Sequence, residues 1–283
     1  MDTALIAGFP KSGNTLLGAT SNIAGGVGTH YDVYHLRSVG QEPEPNKLFH
    51  RDICTIKTHD SRRWSSDLRT SYYGTVVSIV TIVRNPFETL LSTLAFLRYL
   101  CEAKGSLSQD EVDCVHSLLP GYVIGSAFSE EFTLDNLRDQ GLISVALSNF
   151  AKMGTVIPLF YAMSGPWSEF VLSYLGTGIP TLNLRYEDLS QESLGEQESH
   201  SQCTKRLSEF WDCSYWQLKR AFIQQGIDAQ NAKAYGSLFF SKAESGYWKS
   251  YYDLADCKKF ADLYYRSIIA NGYEDLMDDL FSS

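Results

Sequence analysis

The chain has no long hydrophobic run and no excess of positive charge. Its longest strongly apolar run, Val76–Val83, is far below the ~20 residues that a membrane helix needs. The N-terminal residues lack the basic flank of a secretory signal. The formal net charge is -9, so no overall basic field is available to hold a nucleic-acid backbone or an anionic membrane. These absences predict a soluble protein with no nucleic-acid or membrane partner, in which any anion is bound locally.

Closely spaced cysteine pairs are also absent. The six cysteines, at positions 54, 101, 114, 203, 213 and 257, include no CxxC pair. Metal knuckles and redox motifs therefore have no support, and a disulfide framework is not expected in a chain of this length. We interpret the cysteines as reduced thiols, which predicts a cytoplasmic protein.

The composition is that of a folded protein. Hydrophobic residues make up 44% of the chain and charged residues 20%, a balance that excludes a mainly disordered or fibrous protein. A chain of 283 residues often forms one α/β domain around a single sheet. We therefore predict a single domain over residues 1–283.

Apolar runs followed by helical patterns recur along the chain. Strands are predicted over Thr3–Ala7, Ile53–Ile56, Val76–Val83 and Thr181–Leu184, and helices over Thr15 to about Asn22, Phe87–Leu100, Leu142–Tyr161, Trp167–Leu175 and from about Thr204. The continuous runs favour strands buried on both faces, and Pro86 suits a first helical turn. The alternation predicts the α/β class, as a three-layer, P-loop-like fold with a central parallel sheet flanked by helices.

Two stretches interrupt this alternation. Residues 105–141 are rich in Asp and Glu, with a capping box predicted at Ser108 and Glu111. We interpret this insertion as a substrate lid. Its acids either form a solvated helical face, which is the more economical interpretation, or line a pocket for a cationic molecule. The polar stretch Ser190–Gln202 predicts a solvated loop.

The first strand is followed by a glycine-containing loop, Gly8-Phe9-Pro10-Lys11-Ser12-Gly13-Asn14-Thr15, that opens a helix. In this context, backbone N–H groups can cradle a phosphate. The loop matches the two glycines and the Thr of GxxxxGK[ST], but Asn14 stands at the lysine position and the only lysine is Lys11. A nucleoside triphosphatase also needs an acid at a strand end to hold magnesium, whereas Arg84 follows the strand here. An ordinary glycine turn with a solvated lysine is the alternative.

Basic side chains stand at the ends of two further predicted strands. Lys57 and His59 follow the second strand, and imidazole is the commonest general base in enzymes. Arg84 follows the third strand, and Ser92 lies just over two helical turns later; a guanidinium fork with a hydroxyl suits a phosphate monoester. The alternatives are a structural histidine, a helix-end salt bridge at Arg84 and an ordinary helical serine at Ser92.

Taken together and in order, five segments resemble the sulfotransferases that use 3′-phosphoadenosine-5′-phosphosulfate (PAPS). They are GFPKSGNT at 8–15, IKTH at 56–59, RNPFETLLS at 84–92, LRYEDL at 184–189 and SKAESGYWK at 241–249. The first and third resemble the two signature phosphate motifs of that family, and the five span nearly the whole chain. The resemblance says nothing about which acceptor is sulfated.

The resemblance implies a role for each matching residue. The 5′ phosphosulfate end would be held by Lys11, Ser12, Gly13, Asn14 and Thr15; the 3′ phosphate by Arg84, Ser92 and the loop residue Lys242; and the adenine would be approached by Tyr186. His59 corresponds to the general base, while Lys57 and Lys11 would neutralise charge on the sulfuryl group and the departing oxygen. The implied reaction is direct in-line transfer to a hydroxyl or amine of a small-molecule acceptor, with adenosine 3′,5′-bisphosphate (PAP) as product and no metal.

The sequence departs from that family at four positions. Leu16 stands where many relatives have a tryptophan against the adenine, Ser241 and Ala243 replace the arginine and glycine of the usual basic loop, and Tyr247 replaces an acid. Two other functions stay open: a magnesium-dependent kinase on the same architecture, which Asn14 and Arg84 disfavour, and a nucleotide-binding protein without turnover, which His59 and Lys57 disfavour.

Overall fold

The structure is a computed structural model that describes residues 2–27, 44–59, 74–156, 164–194, 202–234 and 246–282. Its elements in chain order are β1 Asp2–Gly8, α1 Asn14–Gly25, β2 Ile53–Thr58, β3 Thr75–Val83, α2 Pro86–Lys104, α3 Gln109–Leu118, α4 Phe128–Glu131, α5 Leu134–Asp139, α6 Leu142–Met153, α7 Trp167–Phe170, a 3-10 helix Val171–Tyr174, β4 Thr181–Arg185, α8 Tyr186–Leu194, α9 Gln202–Trp211, α10 Tyr215–Ala234, a 3-10 helix Tyr247–Ser250, α11 Leu254–Ala270 and α12 Glu274–Phe281.

The four described strands form one parallel sheet in the order β2-β1-β3-β4. The apolar runs of β1 and β3 form its centre, because these two strands have neighbours on both sides, and most of their residues are buried. The predicted α/β fold with a parallel sheet flanked by helices is confirmed. Ala7 pairs with Thr58 and Gly8 with Ile82, so the carboxyl ends of β1, β2 and β3 lie along one edge of the sheet.

The described residues form two compact units. The first lies within Met1–Arg84 and Phe170–Tyr235 and contains the sheet. There α1 packs against β1 and β2, and α10 contacts both α1 and α8. Its hydrophobic core includes Leu16, Leu17, Trp211 and Phe222.

The second unit lies within Asn85–Glu169 and Gly236–Ser283. Its helix α2 begins where predicted, with Pro86 in the first turn and the Asn85 side chain accepting from the Phe87 N–H at 3.0 Å. The Phe87 ring packs on Trp248, Tyr252 and Phe260 at centroid distances of 4.9, 5.4 and 5.4 Å. The single domain with residues 105–141 as a lid stays a prediction.

Two sequence predictions are wrong in extent. The helix predicted over Leu142–Tyr161 ends at Met153, because Gly154 turns to φ 70° and its N–H bonds back to Phe150 O at 2.8 Å. Residues 157–161 lie outside the described ranges. The loop predicted over Ser190–Gln202 is partly helix, since α8 continues to Leu194 and α9 begins at Gln202; residues 195–201 are not described.

The acidic insertion contains the short helices α3, α4 and α5. The capping box at Ser108 and Glu111 is present, as predicted. Six of its seven acids, at positions 110, 113, 130, 131, 135 and 139, are exposed, and Glu111 is half-buried between the Ser108 N–H and Lys104. This arrangement supports the interpretation as a solvated helical face.

Two sequence-level observations have direct structural counterparts. All six cysteines are free thiols in the structure. Among the helices that the structure describes, none combines the length and the apolar character needed to cross a bilayer.

Candidate phosphate-binding and proton-transfer site

The loop between β1 and α1 has two residues with left-handed backbone conformation. Lys11 has φ 68° and Gly13 has φ 96°, and the Ser12 N–H donates to Phe9 O at 3.0 Å. Helix α1 starts immediately afterwards, with no side-chain cap and no acid in its first turn. The first N–H groups of a helix have no partner within it, so this uncapped N-terminus is suited to an anion.

Two basic residues, Lys11 and Arg84, lie near each other at this loop. The Arg84 side chain is only 5% exposed, and its Nη1 lies 3.5 Å from Lys11 O. Desolvation and, to a smaller extent, the charge of Arg84 lower the pKa of the Lys11 amine to about 7. An anion between them would favour the charged lysine, because an opposite charge stabilises the protonated amine.

The Tyr186 ring contacts both the Arg84 side chain and the glycine of the loop. Arg84 Cζ lies 4.2 Å from the ring centroid of Tyr186, a favourable cation–π distance. The same ring covers Gly13, since a Cβ built there would be 2.4 Å from Tyr186 Cδ2. The predicted residues Lys11, Gly13, Arg84 and Tyr186 therefore meet, although Tyr186 is distant in sequence.

Ser12 and Thr15 complete the loop. The Ser12 side chain is fully buried, and its Oγ has no hydrogen-bond partner among the described residues. A buried hydroxyl without a partner is costly unless a ligand or water satisfies it, which fits a phosphate or sulfonate oxygen at this loop. Thr15 is half-buried in the first turn of α1.

His59 is anchored at the neighbouring strand end. Its Nδ1 lies 2.7 Å from Gly8 O. A carbonyl oxygen only accepts hydrogen bonds, so Nδ1 carries the proton and, in the neutral ring, Nε2 holds the lone pair. This is the tautomer that a general base acting through Nε2 requires.

Asn14 lies between the carboxyl ends of β1 and β2 and is 3% exposed. Its Nδ2 donates to Thr58 O at 2.6 Å and to Gly8 O at 3.2 Å. No residue with a Cβ fits at Gly8, because that atom would be 1.7 Å from Asn14 Oδ1.

The remaining predicted residues are less tied to this cluster. Lys57 is half-buried on β2 opposite Ile6. Ser92 is half-buried on α2 in the second unit. Lys242, with Ser241 and Ala243, lies outside the described residues.

The structure also adds two details to the motifs. Leu16, which takes the place of a tryptophan in the resembling family, is buried in the core of the first unit. Glu88 of the RNPFE segment is buried, and its Oε1 accepts from the Gly246 N–H at 2.6 Å. Sequence reasoning missed this contact and the Asn14 contacts; the only available signal was an acid and an amide inside otherwise matched motifs.

Comparisons with known proteins found similarity in structure only. No protein-family model and no curated protein matches the chain. Mouse sulfotransferase SULT7A1 in complex with PAP is 16% identical, with 99% of this chain and 87% of that chain covered and a TM-score of 0.52. Retinol dehydratase in complex with androsterone and inactive cofactor PAP is 13% identical, with 94% and 80% covered and a TM-score of 0.48. By its likeness to SULT7A1, the chain has the fold of the sulfotransferases.

Proposed function

We propose that the chain is a sulfotransferase that moves a sulfuryl group from PAPS to a hydroxyl or amine of a small-molecule acceptor and releases PAP. The observation that carries the proposal is the meeting of an uncapped helix N-terminus, the Lys11 and Arg84 cations and the His59 imidazole at one edge of a parallel sheet. Ligands of open parallel sheets bind at the carboxyl ends of the strands. The sulfotransferase fold and the five sequence segments agree with this proposal.

In this proposal the phosphate loop holds the 5′ end of the donor. The N–H groups at the start of α1, the Ser12 hydroxyl and the Lys11 amine would bind the phosphosulfate oxygens, and Gly13 and Thr15 shape that cradle. Arg84, with Ser92 and Lys242, would bind the 3′ phosphate, and Tyr186 would lie near the adenine. PAPS supplies the activated sulfuryl group; the protein supplies binding, charge and a base.

His59 would remove the acceptor proton through Nε2 as the acceptor oxygen or nitrogen attacks sulfur. Lys57 and Lys11 would balance the negative charge that develops on the transferring group and on the departing phosphate oxygen. A metal has no role in this scheme, and a small cytoplasmic acceptor is proposed, with a cationic acceptor as one class to screen.

The test is PAP binding by calorimetry and transfer of labelled sulfate from PAPS to a panel of alcohols, phenols and amines, in excess EDTA. We expect PAP to bind and at least one acceptor to be labelled. His59→Ala should cut kcat by about a hundredfold or more with PAP affinity nearly unchanged, and Lys11→Ala should weaken both. Transfer that persists in excess EDTA would rule out the magnesium-dependent kinase, and absence of PAP binding would refute the proposal.

A further inference from the structure

The matched motif places Asn14 among the residues that hold the donor, but its side chain makes other contacts. The amide nitrogen has two hydrogens, and both have buried carbonyl partners, Thr58 O at 2.6 Å and Gly8 O at 3.2 Å. The amide oxygen can only accept a hydrogen bond. A phosphate oxygen is also an acceptor, so the side chain as it stands offers a phosphate no donor.

The Asn14 amide instead joins the ends of two parallel strands. Gly8 is the last residue of β1 and Thr58 the last of β2, and their carbonyls follow the last register pair between the strands, Ala7 with Thr58. Beyond this point the ladder provides no further backbone donor to hold the two ends together. Asn14 supplies that donor from the first turn of α1.

His59 depends on the same carbonyl oxygen. Gly8 O accepts from His59 Nδ1 at 2.7 Å and from Asn14 Nδ2 at 3.2 Å. The Asn14 Nδ2 lies 3.4 Å from His59 Nδ1, but two donors do not bond to each other, so this is proximity around a shared acceptor. Gly8 O, which selects the His59 tautomer, is thus also an acceptor for the Asn14 amide.

We propose that Asn14 is a positioning residue: it holds the ends of β1 and β2 so that His59 donates from Nδ1 to Gly8 O and presents Nε2 as the proton acceptor. Its side chain contributes nothing to nucleotide affinity. This inference rests on the proposed function for the meaning of Nε2 as a base, but the ring geometry is measurable without turnover.

The chain offers a matched control in Asn46. This residue is also a buried asparagine, 1% exposed, whose Nδ2 donates to Ser21 and Thr55. Its Oδ1 lies 1.5 Å from where a Gly25 Cβ would be, as Asn14 Oδ1 does at Gly8. Asn46 therefore links two segments of the first unit in a similar way, at the other end of α1, and its hydrogen bonds among the described residues do not involve His59.

The first experiment is a long-range proton–nitrogen NMR spectrum of the nucleotide-free protein with labelled histidine, with the His59 ring assigned by His59→Gln. We expect the neutral ring to carry its proton on Nδ1 in the wild type and in Asn46→Ala, and to become a mixture of tautomers in Asn14→Ala. A wild-type ring protonated on Nε2 overturns the inference by itself, even if Asn14→Ala does not fold.

The second experiment separates turnover from binding. Asn14→Ala should lower kcat with PAPS by about tenfold or more, because a displaced base loses its alignment, while the Kd for PAP changes less than about threefold. Asn46→Ala should leave both within about twofold per folded molecule. If Asn14→Ala weakens PAP as strongly as Lys11→Ala, the inference fails. If no acceptor is sulfated by the wild type, the proposed function fails, but the tautomer result still decides the inference.

Discussion

The contact between Gly13 and Tyr186 gives a prediction whose magnitude follows from the structure. Gly13 adopts φ 96°, and an added Cβ would lie 2.4 Å from Tyr186 Cδ2. The left-handed backbone costs an L-residue about 1–2 kcal/mol, and overpacking against a ring costs about 1–3 kcal/mol more. Gly13→Ala should therefore lower the free energy of unfolding by about 2–5 kcal/mol.

The matched control is Gly26 at the other end of the same helix. It has φ 66°, and no atom of the described residues lies within 4 Å of its added Cβ. Gly26→Ala should therefore cost only the backbone term of about 1–2 kcal/mol. The difference between the two variants in urea unfolding measures the clash with Tyr186.

A double-mutant cycle tests the cause. In a Tyr186→Ala background the clash is gone, so Gly13→Ala should cost no more than Gly26→Ala. In the wild-type background the displaced ring also loses its position under Arg84, so Gly13→Ala should weaken PAP binding, whereas Gly26→Ala should not. Equal costs for the two glycine variants in the presence of Tyr186 would refute this account of the loop.

Two further predictions concern Lys11 and Glu88. Because the pKa of Lys11 is about 7 in the free protein and an anion favours its protonated form, PAP binding should take up a proton and should weaken as pH rises above 7. Calorimetry at pH 8 in buffers of different ionisation enthalpy should show this proton uptake in the wild type. Proton uptake that persists in Lys11→Met would contradict the assignment. Glu88→Ala removes the buried carboxylate that accepts from the Gly246 N–H and should lower the free energy of unfolding by about 1–3 kcal/mol. Glu102→Ala, which breaks an exposed ion pair with Arg98, should lower it by about 0.5 kcal/mol or less. Equal losses in the two variants would rule out the buried hydrogen bond as the cause.

The sheet was predictable from the sequence because its strands are continuous runs of apolar and β-branched residues. The observed strands extend those runs by only one or two residues at an end. Helix ends were harder where an apolar pattern continued past a glycine. At Gly154 the pattern favours more helix, yet the carbonyl of this residue accepts from the Trp167 N–H at 2.7 Å, a contact between distant segments. Local periodicity does not encode such a bond.

Some features of the candidate site could likewise be predicted from the sequence and others could not. The loop glycine, Lys11 and Arg84 could be predicted because strand-end positions and phosphate chemistry restrict the residue types that fit. The orientation of Asn14 could not, since its partners are backbone carbonyls on two strands, and one of them is 44 residues away. Every residue has a backbone carbonyl, so no sequence motif identifies the two carbonyls that Asn14 contacts.

The spacing of Lys57 and His59 shows why the fold has to be known before such a motif has meaning. Residues two apart in an extended chain point to the same side. Lys57 lies on β2 and His59 is the first residue after it, so the two side chains can act on one ligand only if β2 keeps its register up to its last residue. Ala7 pairs with Thr58 there, and this pairing puts His59 next to Gly8, whose carbonyl sets the ring tautomer. A slip of one residue would turn every side chain of β2 to the opposite face and remove His59 from that carbonyl. The chemistry proposed for His59 is therefore a consequence of strand register, which is fixed by the parallel pairing of two segments some fifty residues apart.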